Sequence, residues 1–179
     1  SENAATAQED ASFSYVIPAF DPEGDDLTFS VVSELPSWLE FSSSTGTLFG
    51  TPTNADVGVH SITLSMTDSN SLTSTETLTV TVENVNDDPE FKTTPIREAT
   101  QGQAYTTVFE VSDIDNQSSD LTVTFNEEIS SDWLSFDPET NTLSGTPSSS
   151  DVSTEGVTSS VSLTVSDGAG GSELLSFDI

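Results

Sequence analysis

The chain has 179 residues, and its two Lys plus Arg stand against 31 Asp plus Glu, which gives a formal net charge of −29 at pH 7. This charge excludes nucleic acid and anionic membrane surfaces as partners, since both are polyanions. The absence of cysteine and the presence of a single histidine exclude disulfides and argue against zinc or redox sites.

Alternating apolar and polar residues dominate the chain in sequence order, and no segment has a convincing helical period. Residues 13–17, 27–32 and 38–41 are predicted as early strands, with Pro, Gly, Asp and Ser clusters as turns between them. Four later strands show strict alternation, and their inward residues are Ile62, Leu64 and Met66; Leu78, Val80 and Val82; Val161, Leu163 and Val165; and Leu175, Phe177 and Ile179. The pattern predicts an all-β chain, with about seven short strands in each of two β-sandwiches of immunoglobulin-like architecture.

The chain repeats itself. The residues from Trp38 to the Gly-Thr-Pro at 50–52 return from Trp133 to the Gly-Thr-Pro at 145–147, 95 positions later. A period of this length predicts tandem domains, each with its own core, rather than a solenoid. We assign residues 1–85 to the first domain, 86–90 to a short linker and 91–179 to the second. Both tryptophans are predicted to fill the cores, and Gly46 and Gly145 are predicted to serve turns.

The runs 13–29, 35–39 and 46–52 resemble the dystroglycan-type cadherin-like domains, which are common in bacterial repeats-in-toxin adhesins and in other large surface or secreted proteins. The Trp-Leu-x-Phe and Gly-Thr-Pro motifs carry this resemblance in both copies. It implies two cadherin-like sandwiches arranged end to end in an extracellular protein. Function follows from such a resemblance only by association.

The resemblance also implies a calcium site between the two domains. Cadherin-type linkers carry an Asp-x-Asn-Asp-Asn pattern, which residues 84–88 match with Asn in first place and Asp in last. The implied set also includes an Asp-x-Asp and an Asp-Gly from the following domain and the glutamate that opens the first strand of the preceding domain. Asp56 is a weaker candidate. The implied ligands are Glu9, Asn84, Asn86, Asp87, Asp88, Asp113, Asp115 and Asp167.

The residue types support calcium independently of the family. Calcium takes six to eight hard oxygen ligands, and short Asp and Asn side chains alternating along an extended hinge can direct several oxygens at one point. Two carboxylates about 4 Å apart repel by roughly 4 kcal/mol at an effective dielectric constant of 20. Such a cluster would push the domains apart without a cation and would hold them together with one.

A second acidic set, Asp21, Asp25 and Asp68, is a candidate half-site that an upstream repeat would complete. The alternative is that the Asp-Pro-Glu-Gly-Asp run at 21–25 is an ordinary turn, since Asp-rich turns are common without metal. The second copy has Gln101 where the first has Glu9, so its far end is poorly equipped for a similar site.

No nucleophile-and-base arrangement is present, and His60 is interpreted as a partly exposed strand residue rather than a catalytic one. Together with this absence, the resemblance to cadherin-like domains implies a non-enzymatic, calcium-rigidified extracellular module of a bacterial surface adhesin. Such a module would space, present or bind a ligand. Its partners would be neighbouring domains and a glycan or protein ligand, with no direct membrane contact and with a monomeric state.

The alternative is a carbohydrate-binding accessory module of a secreted polysaccharide-degrading enzyme. Modules of that kind usually expose a row of aromatic side chains. Tyr15, Tyr105 and Phe91 are the aromatic residues whose exposure would decide between the two functions.

Overall fold

A computed structural model describes residues 3–126, 132–152 and 158–179. The chain divides into two compact units, Ser1–Val85 and Asn86–Ile179. Regular structure in the described residues consists of β-strands and one short 3-10 turn, so the all-β prediction is confirmed.

Unit 1 contains seven strands in two sheets. They are β1 (Asn3–Gln8), β2 (Phe13–Val16), β3 (Thr28–Val31), β4 (Leu39–Ser42), β5 (Thr47–Gly50), β6 (Gly58–Thr67) and β7 (Thr73–Glu83). One sheet has the order β1-β7-β6-β3, in which β1 runs parallel to β7, and the other has the order β2-β5-β4. The 3-10 turn, Asn54–Asp56, connects β5 to β6.

Unit 2 repeats this plan with a different opening. Its strands are β8 (Glu90–Phe91), β9 (Tyr105–Val108), β10 (Val111–Ser112), β11 (Thr122–Phe125), β12 (Leu134–Asp137), β13 (Thr142–Gly145), β14 (Ser160–Ser166) and β15 (Ser172–Asp178). They form sheets of order β11-β14-β15 and β12-β13-β9, while β8 pairs antiparallel with β10.

Each unit has its own apolar core, built by the alternation visible in the sequence. In unit 1, Leu78 and Val80 of β7 are fully buried, and they pack in one cluster with Leu48 of the opposite sheet. In unit 2, Leu163 of β14 and Leu143 of β13 are likewise fully buried and pack in one cluster. Inward residues of two facing sheets thus close a sandwich in each unit, because period-2 alternation places every second side chain on one face.

The tryptophans occupy equivalent places. The Trp38 ring meets Phe13 edge-on, with ring centroids 5.8 Å apart, and Trp133 meets Tyr105 at the same separation. Trp38 is buried, and Trp133 is partly buried and packs against the core of unit 2. Both side chains therefore support the core, in agreement with the sequence interpretation.

The glycine of each Gly-Thr-Pro motif lies in a strand, not in a turn. Gly50 pairs with Leu39, and Gly145 pairs with Leu134, in the same register. A Cβ atom on Gly50 would lie 2.0 Å from the carbonyl oxygen of Trp38, and one on Gly145 would lie 1.9 Å from that of Trp133. The prediction of a turn at Gly145 is therefore wrong: the residue is glycine because the chain after the tryptophan passes too close for any side chain.

Candidate metal centre

Three segments of unit 2 converge on one acidic cluster. They are residues 86–88, the 113–116 loop that follows β10, and the 167–171 turn between β14 and β15. The Asn86 side-chain amide donates to Asp167 Oδ2 at 2.6 Å, and the Asp87 backbone N–H donates to Asp115 Oδ2 at 2.8 Å. Asp87 and Asp115 also offer carboxylate oxygens within 4.8 Å of each other.

Asp88 is tied to the same region, because its Oδ1 accepts the backbone N–H of Ser172 at 3.0 Å. Within unit 2, six of the implied ligands therefore lie on these three segments. They are Asn86, Asp87, Asp88, Asp113, Asp115 and Asp167.

The Asp113 carboxylate shapes its own loop with one oxygen. Its Oδ1 accepts the backbone N–H groups of Asp115 and Asn116 at 2.7 and 2.8 Å. Its Oδ2 is buried and accepts no hydrogen bond from any residue that the structure describes. One oxygen thus fixes the loop, and the other is left as an acceptor without a donor.

Asp167 is 8% exposed and organises the turn before β15. Its Oδ1 accepts three backbone N–H groups, from Ala169, Gly170 and Gly171, at 2.7 to 3.0 Å. Hydrogen bonding from the Asn86 amide, assisted by these N–H groups and opposed by partial burial, holds the pKa of the carboxyl below its usual range. Asp167 is therefore ionised at neutral pH, as a cation ligand must be.

Gly171 provides the space in which residues 86 and 87 approach this turn. A Cβ at Gly171 would lie 2.4 Å from Asp167 Oδ2, 2.8 Å from the Asp87 carbonyl oxygen and 3.0 Å from Asn86 Nδ2. The sequence analysis missed this residue. The available signal was the contrast between the repeats, since unit 1 has Leu72 at the equivalent place of an otherwise similar turn.

The equivalence rests on hydrogen bonds. Asp68 donates its N–H to the Leu72 carbonyl and accepts the Leu72 N–H at Oδ1, and Asp167 and Gly171 exchange the same two bonds. The two turns therefore share these hydrogen bonds, and they differ in the residue that faces the aspartate, which is leucine in unit 1 and glycine in unit 2.

We expect Gly171→Ala to destabilise unit 2 by about 1–3 kcal/mol, because the new methyl group overlaps Asp167 Oδ2 and the Asp87 carbonyl. Urea unfolding would measure the change. Leu72→Ala is the matched control at the exposed equivalent position, where less than about 0.5 kcal/mol is expected. Equal effects of the two substitutions would contradict a close approach of residues 86 and 87 to the turn.

Unit 1 contributes Glu9, which is only 2% exposed. The sequence interpretation placed it at the opening of the first strand, but it directly follows β1, and its N–H donates to the Glu83 carbonyl. Its Oε1 accepts the backbone N–H of Val85, whereas its Oε2 has no hydrogen-bond partner among the described residues. A buried carboxylate oxygen is thus held beside the last residues of the unit with no donor to satisfy it.

The other implied residues of unit 1 have local partners. The Asn84 carbonyl oxygen Oδ1 accepts the Asn54 amide at 3.4 Å. Oδ2 of Asp56, the weaker candidate, accepts both the N–H and the O–H of Thr53, so this side chain caps the 3-10 turn.

The donor set suits a hard cation. Carboxylate and amide oxygens are calcium ligands, and buried carboxylate oxygens without donors, at Glu9 and Asp113, are what a coordinated cation would satisfy. The two basic side chains of the chain are used elsewhere: Lys92 pairs with Glu90, and Arg97 stacks 5.8 Å from the centre of the Phe177 ring. The residues present therefore fit calcium.

The second acidic set lies in unit 1. Asp21, Glu23 and Asp25 place carboxylate oxygens within 4.8 Å of one another. Asp21 Oδ1 accepts the N–H groups of Glu23 and Asp25, which is the hydrogen-bond pattern of an ordinary Asp turn. Asp68 joins this end of the unit through its turn, because Asn70 of that turn donates to Asp25 Oδ2 at 2.8 Å.

His60 contacts the backbone of Asp56 and the ring of Trp38. Its Nε2 lies 2.6 Å from the Asp56 carbonyl oxygen, and its ring packs edge-on against Trp38 at a centroid distance of 6.0 Å. The histidine thus contacts the 3-10 turn and the core tryptophan.

The aromatic residues singled out from the sequence are not exposed platforms. Tyr105 is buried, and Tyr15 and Phe91 are partly buried against the cores. Burial, with the negative charge of Glu76, raises the pKa of Tyr15. The exposed aromatic rings that the sequence analysis missed are Phe20, at 85%, and Phe49, at 38%.

Among the described residues, no helix has the length and apolar character needed to cross a bilayer. A family model described as putative Ig domain matches residues 1–83 and 88–179. No curated protein matches the chain significantly.

Solved structures with the same fold include cadherin repeats. Human protocadherin-24 EC1-2 has a TM-score of 0.60 and 15% identity, with 99% of this chain and 91% of that chain covered. Protocadherin gammaB7 EC3-6 has a TM-score of 0.60 and 16% identity, covering 99% and 44% of the two chains. The endo-fucoidan hydrolase MfFcnA4, of glycoside hydrolase family 107, has 24% identity and a TM-score of 0.45; the match covers 99% of this chain and only 27% of that one.

Proposed function

The chain belongs to the putative Ig domain family, and on that premise we propose that it is a calcium-rigidified extracellular module of a bacterial surface adhesin. Immunoglobulin-like and cadherin-like domains are typical of extracellular proteins. In this proposal the pair extends or presents a ligand-binding part of a larger protein, and calcium sets its stiffness.

The observation that carries the proposal is the pair of buried carboxylate oxygens, Glu9 Oε2 and Asp113 Oδ2, that find no donor among the described residues. A buried acceptor left unpaired costs about 1–3 kcal/mol, and more when it is charged. In a chain with formal charge −29, no spare Lys or Arg can offset that cost. A bound cation is the simplest compensation.

The proposed ligands come from both units, which residues 84–88 connect along the chain. Val85, whose N–H is held by Glu9, is followed directly by Asn86 and Asp87, which are hydrogen-bonded to Asp167 and Asp115. The full proposed set is Glu9, Asn84, Asn86, Asp87, Asp88, Asp113, Asp115 and Asp167. When bound, calcium supplies positive charge that converts the repulsion among these carboxylates into attraction.

The residues of the chain would then act as a clamp. Glu9 anchors the last residues of unit 1, and the Asp113 and Asp167 turns anchor the first residues of unit 2. Once calcium neutralised the carboxylates of both anchors, bending at residues 85–87 would be suppressed. A stiff module of this kind would hold a distal domain away from the cell surface.

The proposal does not extend to an upstream linker at Asp21, Asp25 and Asp68. A segment that approached unit 1 as residues 86 and 87 approach unit 2 would meet the Leu72 side chain, which stands where Gly171 leaves space. The end of unit 1 that carries these acids therefore differs chemically from the corresponding end of unit 2.

The accessory carbohydrate-binding module stays a second proposal with less support. A row of exposed aromatic side chains would favour it, but Tyr105 is buried and Tyr15 and Phe91 pack against the cores. The two exposed rings, Phe20 in the loop after β2 and Phe49 in β5, lie on different elements and are too few for such a row.

Backbone ¹⁵N relaxation of the intact chain tests the clamp. With millimolar calcium we expect the two units to tumble with one rotational correlation time, and with chelator we expect separate, shorter times. Asp87→Asn combined with Asp115→Asn should behave as the chelated protein does. Asp137→Asn combined with Asp178→Asn, at exposed residues outside the clamp, is the charge-matched control and should respond as the unchanged chain does. Independent tumbling in calcium would contradict the proposal.

A further inference from the structure

A cavity of about 420 Å³ opens at one end of unit 1, between the 18–27 loop and the β6–β7 turn. Its lining combines apolar and polar side chains. The apolar lining comprises Pro18, Ala19, Pro22, Leu27 and Met66, with Phe20 and Leu72 at the loop and turn.

Phe20 and Leu72 are far more exposed than the fold requires. Phe20 is 85% exposed and Leu72 is 69% exposed. At the corresponding sequence positions unit 2 has Ser112 before Asp113, where unit 1 has Phe20 before Asp21, and Gly171 where unit 1 has Leu72. Since the second copy folds without either apolar side chain, their presence in the first needs a reason other than stability.

The polar lining consists of the hydroxyl residues Thr73 and Ser74 and of side chains that are all acidic where they carry a charge. Asp21, Asp68 and Glu76 line the cavity, and no Lys, Arg or His does. Asp21 and Asp68 use Oδ1 to accept backbone N–H groups of their own turns, and Oδ2 of each accepts no hydrogen bond from the described residues. The three carboxylates repel sulfated or uronic polysaccharides, because these are also anionic, and they favour a cationic ligand.

We propose that this cavity binds a primary alkylammonium group carried on an unbranched aliphatic chain. The ammonium group donates hydrogen bonds to the Asp21, Asp68 and Glu76 carboxylates and lies near the face of the Phe20 ring, which attracts cations. The aliphatic chain packs along Leu27, Met66 and Leu72. Charge complementarity selects this ligand over a neutral sugar, which would leave the three negative charges uncompensated.

Two sources present this chemistry, namely a free polyamine and a lysine side chain of a partner protein. The inference is independent of the calcium clamp, because the cavity lies wholly within unit 1 and shares no residue with the proposed clamp ligands.

Titrations of the intact chain followed by ¹H–¹⁵N NMR test the proposal, in 150 mM salt with chelator. The probes are spermidine, N-acetyl-lysine methylamide and its uncharged isostere N-acetyl-norleucine methylamide. We expect saturable shifts confined to residues 18–27 and 66–76 with the two amines and none with the isostere. The amine that binds with the lower dissociation constant identifies the source.

Variants locate the binding. Phe20→Ala and Glu76→Gln should each weaken amine binding at least fivefold. Val59→Ala, at another exposed apolar residue, and Glu40→Gln, at an exposed acid outside the cavity, should leave it within twofold. A dispersed spectrum of each variant shows that the fold is kept.

Several results would overturn the proposal. Shifts that are spread over the whole chain and do not saturate would show only counter-ion exchange with an acidic surface. Equal binding of amine and isostere would remove the role of charge. A saturable response to a neutral oligosaccharide, or to calcium in the same buffer without chelator, with none to either amine, would assign the cavity to that ligand instead.

Discussion

Gly145→Ala is expected to destabilise unit 2 by about 3 kcal/mol or more, at the upper end of overpacking substitutions. The new Cβ would lie 1.9 Å from the Trp133 carbonyl oxygen, and a backbone atom cannot move aside as the end of a side chain can. Relief requires β13 and β12 to separate at the Leu134–Gly145 pair, next to the buried Leu143. Urea unfolding monitored by tryptophan fluorescence would measure the loss.

Ser144→Ala is the matched control in the same strand, and a change of less than about 0.5 kcal/mol is expected there. Gly50→Ala should repeat the large effect in unit 1, where the Trp38 carbonyl is 2.0 Å from the corresponding Cβ position. A loss below 1 kcal/mol for Gly145→Ala would show that the approach of the two chains is not fixed.

The effect of Glu9→Gln on the free energy of unfolding is expected to differ in sign between calcium-free and calcium-containing solution. Without calcium the substitution removes an unpaired buried charge and keeps an oxygen to accept the Val85 N–H, so stability should stay the same or rise. With free calcium at 100 times its dissociation constant, the unchanged protein gains about 2.7 kcal/mol from binding. The variant should forfeit most of that gain because it lacks one ligand charge.

Thermal unfolding in calcium, in magnesium and in chelator would measure the change in stability with and without calcium. Glu83→Gln removes one exposed carboxylate just before the 84–88 segment, and it should lower the calcium gain only slightly. If Glu9→Gln destabilised the protein equally in all three conditions, Glu9 would be a structural residue and not a cation ligand.

The sequence predicted the fold because the fold depends on local patterns and repetition. The alternation at Leu78, Val80 and Val82 specifies a half-buried strand without knowledge of its neighbours. The recurrence of the tryptophan and Gly-Thr-Pro motifs specified two similar cores, and the structure gives both copies the same register, Leu39 with Gly50 and Leu134 with Gly145.

The residues that the sequence analysis misjudged depend on contacts between distant segments. Gly145 and Gly171 are small because a carbonyl or a carboxylate passes within 3 Å of the place a side chain would take, and no local pattern reveals that approach. Phe20 was interpreted as part of a repeat motif, and its exposure emerges only once the loop is folded. Comparison of the two copies position by position was the available signal, since Leu72 in unit 1 corresponds to Gly171 in unit 2, and Phe20 before Asp21 corresponds to Ser112 before Asp113.

The same reasoning explains the partial prediction of the acidic cluster. The resemblance to cadherin-like domains selected the aspartates at 113, 115 and 167, and the structure joins their segments to residues 86–88 by hydrogen bonds. Spacing could not reveal that Glu9 and Asp113 each keep a buried oxygen without a donor, because burial is a property of the folded chain.

Calorimetric titration of calcium into the intact chain tests the central claim most directly. The account predicts saturable, calcium-specific binding that Asp87→Asn combined with Asp115→Asn weakens at least tenfold and that Glu9→Gln also weakens. Absence of saturable binding, or equal binding of magnesium by the unchanged protein and the variants, would contradict it and leave the acidic cluster as solvated surface.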